Sequence, residues 1–177
     1  MTRFTRPLFV LAVALGISLA GRAAPILPGS APRDAPDEAL SLAGLKRVRI
    51  EVLPLPPLLK DAGVRPSNLR QLLIVPLEEA GIKIEEEPDL PRIVVKVFMA
   101  TDEQQPQALS IGVVVAVHQR VRVRRLDRSL VVPTATVTQV AQASRETARD
   151  AVERELQVVA HALQRIIRVA TLEASSK

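Results

Sequence analysis

Apolar and polar residues alternate one by one from Lys46 to Leu53. Val48, Ile50 and Val52 fall on one side, Arg47, Arg49 and Glu51 on the other. A period of two predicts a half-buried strand, and Pro54, Pro56 and Pro57 end it because they bring no ladder donors. From Pro66 to Ala80 the period changes. Leu69, Leu72, Leu73, Leu77 and Ala80 recur three or four apart, which predicts a helix with one apolar face. Pro66 suits the first turn and Gly81 the stop. Pro76 interrupts this pattern by removing one intrahelical bond. Replacing it with Ala is therefore expected to stabilise the chain by about 1 kcal/mol or more.

Four further strands follow. Ile82–Glu86 is short, with Ile82 and Ile84 inward. Arg92–Ala100 is apolar on both sides except at Lys96, the pattern of a central strand. After a polar loop, Thr101–Gln107, the segment Ala108–Leu126 predicts a long strand that changes character. Its first half is apolar throughout, and its second half sets Val121 and Val123 against Arg120, Arg122 and Arg124. Asp127–Ser129 reads as a turn and Val131–Ala143 as a Thr-rich last strand. Ser144 is placed to cap a final helix, Arg145–Leu172. Val152, Leu156, Val159, Leu163, Ile166 and Ala170 form its continuous stripe, and Arg149–Glu153 and Asp150–Arg154 can pair across one turn. The order β-α-β-β-β-β-α predicts an α+β fold of two layers. A mostly antiparallel sheet of about five strands carries two helices on one face.

The N-terminal pattern differs in kind. Arg3 and Arg6 precede an apolar run, Leu8–Ala20, and then small residues. These are the parts of a secretory signal, cleavable after Ala20 or Ala23. The run is shorter than the roughly 20 residues a membrane span needs, although an uncleaved anchor is the alternative. Leu19-Ala20-Gly21 resembles the start of a lipoprotein box, but Arg22 stands where its cysteine belongs, and the chain contains no cysteine. The expectation is a protein of the periplasm or medium that is not a lipoprotein and has neither disulfides nor thiolate metal sites. Residues 24–44, with Pro25, Pro28, Pro32 and Pro36, read as a linker. A single domain is expected over 45–172, with a short tail at 173–177.

Removing the signal changes the charge. The whole chain is +5, with 24 basic and 19 acidic residues; losing Arg3, Arg6 and Arg22 leaves 21 against 19, or +2. Phe4 and Phe9 leave as well, so Phe98 is the one remaining aromatic residue. Base stacking needs aromatic faces, and no nucleic-acid partner is expected.

The helix end Leu77-Glu78-Glu79-Ala80-Gly81-Ile82-Lys83-Ile84 resembles a pattern of small exported bacterial α+β proteins of uncharacterised function. There a strand, a helix and L-x-x-A-G-I-x-V precede a long strand hairpin and a C-terminal helix. The architecture is similar to envelope-assembly modules, namely the lipopolysaccharide-assembly lipoprotein and the N-terminal domain of TolB. The likeness covers Leu45–Leu172 and departs at Ala135–Gln139, which lacks an expected aromatic. It implies an envelope protein and no catalytic residues.

Chemistry-bearing residues are few. His161 reads as a surface residue and His118 as a hydrogen-bonded structural one. Two histidines without cysteine make a zinc site unexpected. No nucleophile elbow or phosphate loop is present, so neither a catalytic residue nor a cofactor is expected. The acidic run Glu85, Glu86, Glu87 and Asp89 reads as a solvated strand end rather than a calcium site. Pro54-Leu55-Pro56-Pro57 reads as a stiff connection rather than a docking segment. Arg120, Arg122 and Arg124, with Arg125 and Arg128 near, are the one non-random surface feature. They form either an anion-contact stripe for lipid or polymer, or an exposed face balanced by acids such as Glu51 or Glu85. The expected function is a non-catalytic exported envelope protein that works through contacts with an unknown envelope protein. A binding or carrier module for an anionic lipid or amphiphile is the alternative.

Overall fold

The computed structural model describes residues 36–176 apart from 102 and 106. The expected signal peptide, 1–23, and the first part of the expected linker lie outside the described residues. The rest of that linker is structured. Asp37–Leu40 forms a helical turn, α1, and Leu42 just beyond it is fully buried. The prolines masked a short apolar patch, Leu40-Ser41-Leu42, too brief to show a period.

The chain continues through β1 (Arg47–Val52), a short helix α2 (Pro57–Asp61), α3 (Pro66–Glu79), β2 (Lys83–Ile84), β3 (Arg92–Thr101), β4 (Ala108–Val123), β5 (Arg128–Ser144) and α4 (Ala148–Ser175). The sheet order is β2-β1-β3-β4-β5. The fold is α+β with five strands, and the sheet is mixed, its two long pairings antiparallel as expected and its two short ones parallel. β1 runs parallel to both β2 and β3, whereas β3–β4 and β4–β5 are antiparallel. The crossover through α2 and α3 returns the chain to the same end of the sheet, which makes β2 parallel to β1. Segment 85–91 then takes it to the other side of β1. The expected strand Ile82–Glu86 shrinks to two residues because Ile82 belongs to the helix stop.

That stop is a Schellman cap. Gly81 has φ +82°; its N–H bonds to Glu78 O at 2.9 Å, and Ile82 N–H bonds to Leu77 O at 3.0 Å. Leu77 and Ile82, the two apolar residues this motif brings together, are both buried. The same device ends α2. Gly63 N–H reaches Lys60 O, Val64 N–H reaches Leu59 O, and both apolar partners are buried. Pro57 opens α2 and Leu55 lies in the core, so Pro54–Pro57 is a connection anchored from beneath.

One face of the sheet is covered. Val48, Ile50, Ile93, Val95, Val97, Leu109, Ile111, Val113, Val115 and Val117 meet Leu69, Leu73 and Leu77 of α3 and Val152, Leu156, Val159, Leu163 and Ile167 of α4 in one cluster. The α4 stripe is as expected except that Ile167 is buried and Ile166 only half so. The helix starts later than Arg145. Ser144 ends β5, and its Oγ accepts the Thr147 N–H at 3.3 Å rather than capping α4. It runs to Ser175, through most of the expected tail. Arg149 pairs with Glu153 at 2.9 Å, and that hydrogen bond, reinforced by the carboxylate charge, raises the guanidinium pKa. Arg154 turns to Glu155 instead of Asp150.

Pro76 is buried inside α3. Truncating it to Ala removes about two buried methylenes, roughly 1.6 kcal/mol, against the backbone bond and helix propensity regained. The net change is expected to stay within about 1 kcal/mol, smaller than the pattern alone suggests. Gly81→Ala should cost about 1–2 kcal/mol through backbone strain, because nothing lies within 4 Å of the added methyl. Urea denaturation of both variants checks the pair.

Candidate interaction surface

The second face of the sheet carries no helix. Along β3, β4 and β5 the cross-strand rows on that side are Phe98–Gly112–Val140, Lys96–Val114–Thr138 and Val94–Ala116–Thr136. Phe98 is 44% exposed and Val140 60%. Gly112 is buried because the Phe98 ring lies over it; a methyl there would overlap the ring. At the β1 side the face turns ionic. Glu51 accepts from Arg92 at 3.0 Å and lies 3.7 Å from Arg49.

At the end of β4 the sheet loses its helix layer. A bulge falls at Val117/His118, where Thr134 of β5 is the extra residue. Thr134 Oγ1 donates to Val117 O at 3.2 Å, Ser41 Oγ to Thr134 O at 3.3 Å, and Gln119 Nε2 to Ser41 O at 3.0 Å. The segment after α1 therefore pins the bulge. Beyond it the β4–β5 hairpin stands clear as an arm: every residue from Arg120 to Val131 is exposed except Val123, which is half-buried.

The arm gathers the five arginines of the anion-contact group, though not on one strand face. Arg120 and Arg122 share a face, opposite Val131 and Ser129. β4 ends at Val123, so Arg124 and Arg125 sit in the 3₁₀ turn Arg124–Leu126, and Arg128 opens β5. β5 thus begins three residues earlier than Val131. Asp127 takes left-handed φ 45°, which tightens the expected three-residue turn. The carboxylates beside the arm are not Glu51 or Glu85. Arg120 meets Asp89 at 3.5 Å and Arg122 meets Asp127 at 2.5 Å. Exposed pairs of this kind are worth about 0–1 kcal/mol. The pattern of β4 showed the arginines; it did not show that Val121, Leu126, Leu130 and Val131 would be exposed beside them.

The other singled-out residues are dispersed. Glu85 and Glu87 pair with Arg47, Glu86 with Arg70 and Asp89 with Arg120, so the acidic run serves three elements. His118 is half-buried opposite Arg92 and, contrary to expectation, its imidazole makes no side-chain hydrogen bond among the described residues. His161 is exposed, its Nδ1 3.4 Å from Gln164 Oε1. Gln164 is buried and donates to Glu79 at 2.8 Å, while Arg168 donates to Glu79 O at the end of α3. Among the described residues no three His, Asp or Glu side chains converge. A depression lined by Ala100, Thr101, Glu103, Gln104 and Ser110 is open to solvent. No helix among the described residues is long and apolar enough to cross a membrane.

No protein-family model and no curated protein matches the chain. There is accordingly no such support for the likeness to the lipopolysaccharide-assembly lipoprotein or to the TolB N-terminal domain. Among solved structures, the chain is similar to a minor lipoprotein of Acinetobacter baumannii. The TM-score is 0.38 at 16% identity, over 75% of this chain and 95% of that one. It is also similar to the uncharacterised lipoprotein B of Nitrosomonas europaea, with a TM-score of 0.31 at 14% identity, over 76% and 87%. Both are described as lipoproteins, whereas this chain contains no cysteine. At these scores neither likeness bears on function.

The Phe98–Gly112 contact is testable on its own. Gly112→Ala forces the ring aside and should cost about 1–3 kcal/mol. In a Phe98→Ala background the same change should cost less, by a coupling of about 0.5–3 kcal/mol. A double-mutant cycle in urea measures it.

Proposed function

We propose that this chain is a non-catalytic exported protein of the cell envelope that works by pairing a partner protein onto the edge of β5. The signal-like N-terminus motivates the location. One observation carries the mechanism. β5 has a neighbour on one side only among the described residues, and from Ser129 to Ser144 it holds no charged residue. Edge strands are ordinarily protected by charge, proline, a bulge or a covering segment, because their free N–H and C=O groups template another strand. Here Pro133 and the bulge protect the outer part. From Ala135 to Ser144 there is no charge, no proline and no bulge. Thr136, Thr138, Val140 and Gln142 of this stretch are exposed, and β-branched residues suit a pairing strand.

The partner class this favours is an extended segment of another protein, held by main-chain hydrogen bonds, with alternate side chains resting on the open sheet face. The filled layer between sheet and helices, with Leu73, Leu77, Ile111, Leu156 and Leu163 fully buried, weighs against a carrier that encloses an amphiphile.

A photoreactive residue at Gln142 tests this in envelope preparations. The native strand should yield a discrete protein adduct. Thr138→Lys with Val140→Lys places two charges on the exposed side of the edge, and should remove most of the adduct without changing the circular dichroism. No adduct from the native strand, or an unchanged adduct from the double variant, overturns the reading.

A further inference from the structure

We propose that the tip of the β4–β5 arm is a contact for the anionic phospholipid surface of a bilayer. Its guanidinium groups take lipid phosphates, and Leu126 enters the boundary between headgroups and acyl chains. The arm lies beyond the bulge, away from the unguarded half of the β5 edge, and the inference stands independently of the strand-pairing reading.

Charge comes first. All the basic residues of the arm are arginine: Arg120, Arg122, Arg124, Arg125 and Arg128. Arginine presents a planar fork that binds phosphate oxygens two at a time, which an ammonium group cannot do. Two carboxylates oppose them, and both are accounted for. Asp127 is held by Arg122 at 2.5 Å, and Asp89 lies 3.5 Å from Arg120. Arg124, Arg125 and Arg128 form no ion pair among the described residues, and all three are exposed. The field of the arm is therefore positive where it is most accessible.

The apolar residues decide between a bilayer and an acidic protein. Val121, Leu126, Leu130 and Val131 are four of the ten large hydrophobic side chains exposed among the described residues. They are not confined to one side. Val121 and Leu130 are cross-strand neighbours on one face, Val131 lies beside Arg120 on the other, and Leu126 is in the turn itself, 53% exposed. A protein partner docking flat would cover one face and leave the rest in water. A fluid interface surrounds a tip from all sides, and apolar groups at such an interface bury about 5–10 Å deep among cationic neighbours. The backbone is prepared for this. From Arg120 to Val123 and from Arg128 to Val131 the two strands pair with each other, which satisfies their inward-facing peptide groups and leaves the outward-facing ones and those of the turn to the hydrated headgroup layer.

Flotation of the full chain with phosphatidylcholine vesicles, with and without phosphatidylglycerol, tests this at low and physiological salt. Native protein should bind the anionic vesicles only, and less at higher salt. Replacing Arg124, Arg125 and Arg128 by Gln should weaken binding about fivefold per guanidinium, about a hundredfold together. Leu126→Ser should weaken it about tenfold while leaving the salt dependence in place. Circular dichroism should be unchanged in both, since every altered residue is exposed. Equal flotation of native and triple-Gln protein overturns the proposal. Binding that survives Leu126→Ser and is competed away by soluble inorganic polyphosphate also overturns it, and assigns the arm to a polyanion instead.

Discussion

The contact between the apolar stripe of α4 and the inner face of the sheet is what the rest of the structure depends on. Val152, Leu156, Val159, Leu163 and Ile167 are all but completely removed from water. At about 2 kcal/mol per side chain, that stripe contributes about 10 kcal/mol of hydrophobic stabilisation, as large as the net stability of a typical domain, about 5–15 kcal/mol. The contact also fixes orientation. Arg168 reaches the last carbonyls of α3 and Gln164 reaches Glu79, so α3 and α4 are tied where one ends and the other passes. With both helices on one side, the second face of the sheet and the outer hairpin have nothing of the described chain to cover them. The surfaces available for binding are the remainder left by this packing.

How much of this is visible in the sequence depends on the range of each interaction. The period-two pattern of Val48 and Ile50 and the helical stripe from Val152 to Ala170 are local signals, and both elements form where they predict. The mixed sheet is not local. Nothing in Lys83-Ile84 marks it as a parallel partner of Arg47 and Val48, because that pairing comes from a crossover through two helices. α2 is five residues long, too short for a period, although Pro57 at its start and Gly63 after its end are the usual punctuation of a helix. Leu42 was concealed by its proline-rich neighbours.

The candidate surfaces divide in the same way. The arginines of the arm are countable in the sequence, and so is the absence of charge from Ser129 to Ser144. The sequence could not tell which acids lie beside Arg120 and Arg122, since Asp89 arrives from a loop on another strand. It also could not tell that Val121, which alternates like a core residue, lies beyond the reach of either helix. Val121 continues the alternation of Val113, Val115 and Val117 and differs from them only in having no layer above it. Alternation reports which side of a strand a residue occupies, not whether that side is covered.

The bulge at Thr134 has a consequence for assembly. A bulge adds local twist and breaks the even spacing of edge donors and acceptors. A strand laid along β5 from Ser144 keeps its register only as far as Ala135, where the edge turns away and Pro133 has no N–H to offer. Pairing is thereby given a terminus. A guest strand of limited length fits, whereas an indefinite stack of copies meets a discontinuity at every layer. In the proposed pairing, the irregularity that launches the arm would limit this uncharged edge to a guest strand of finite length rather than leave it a template for fibrils.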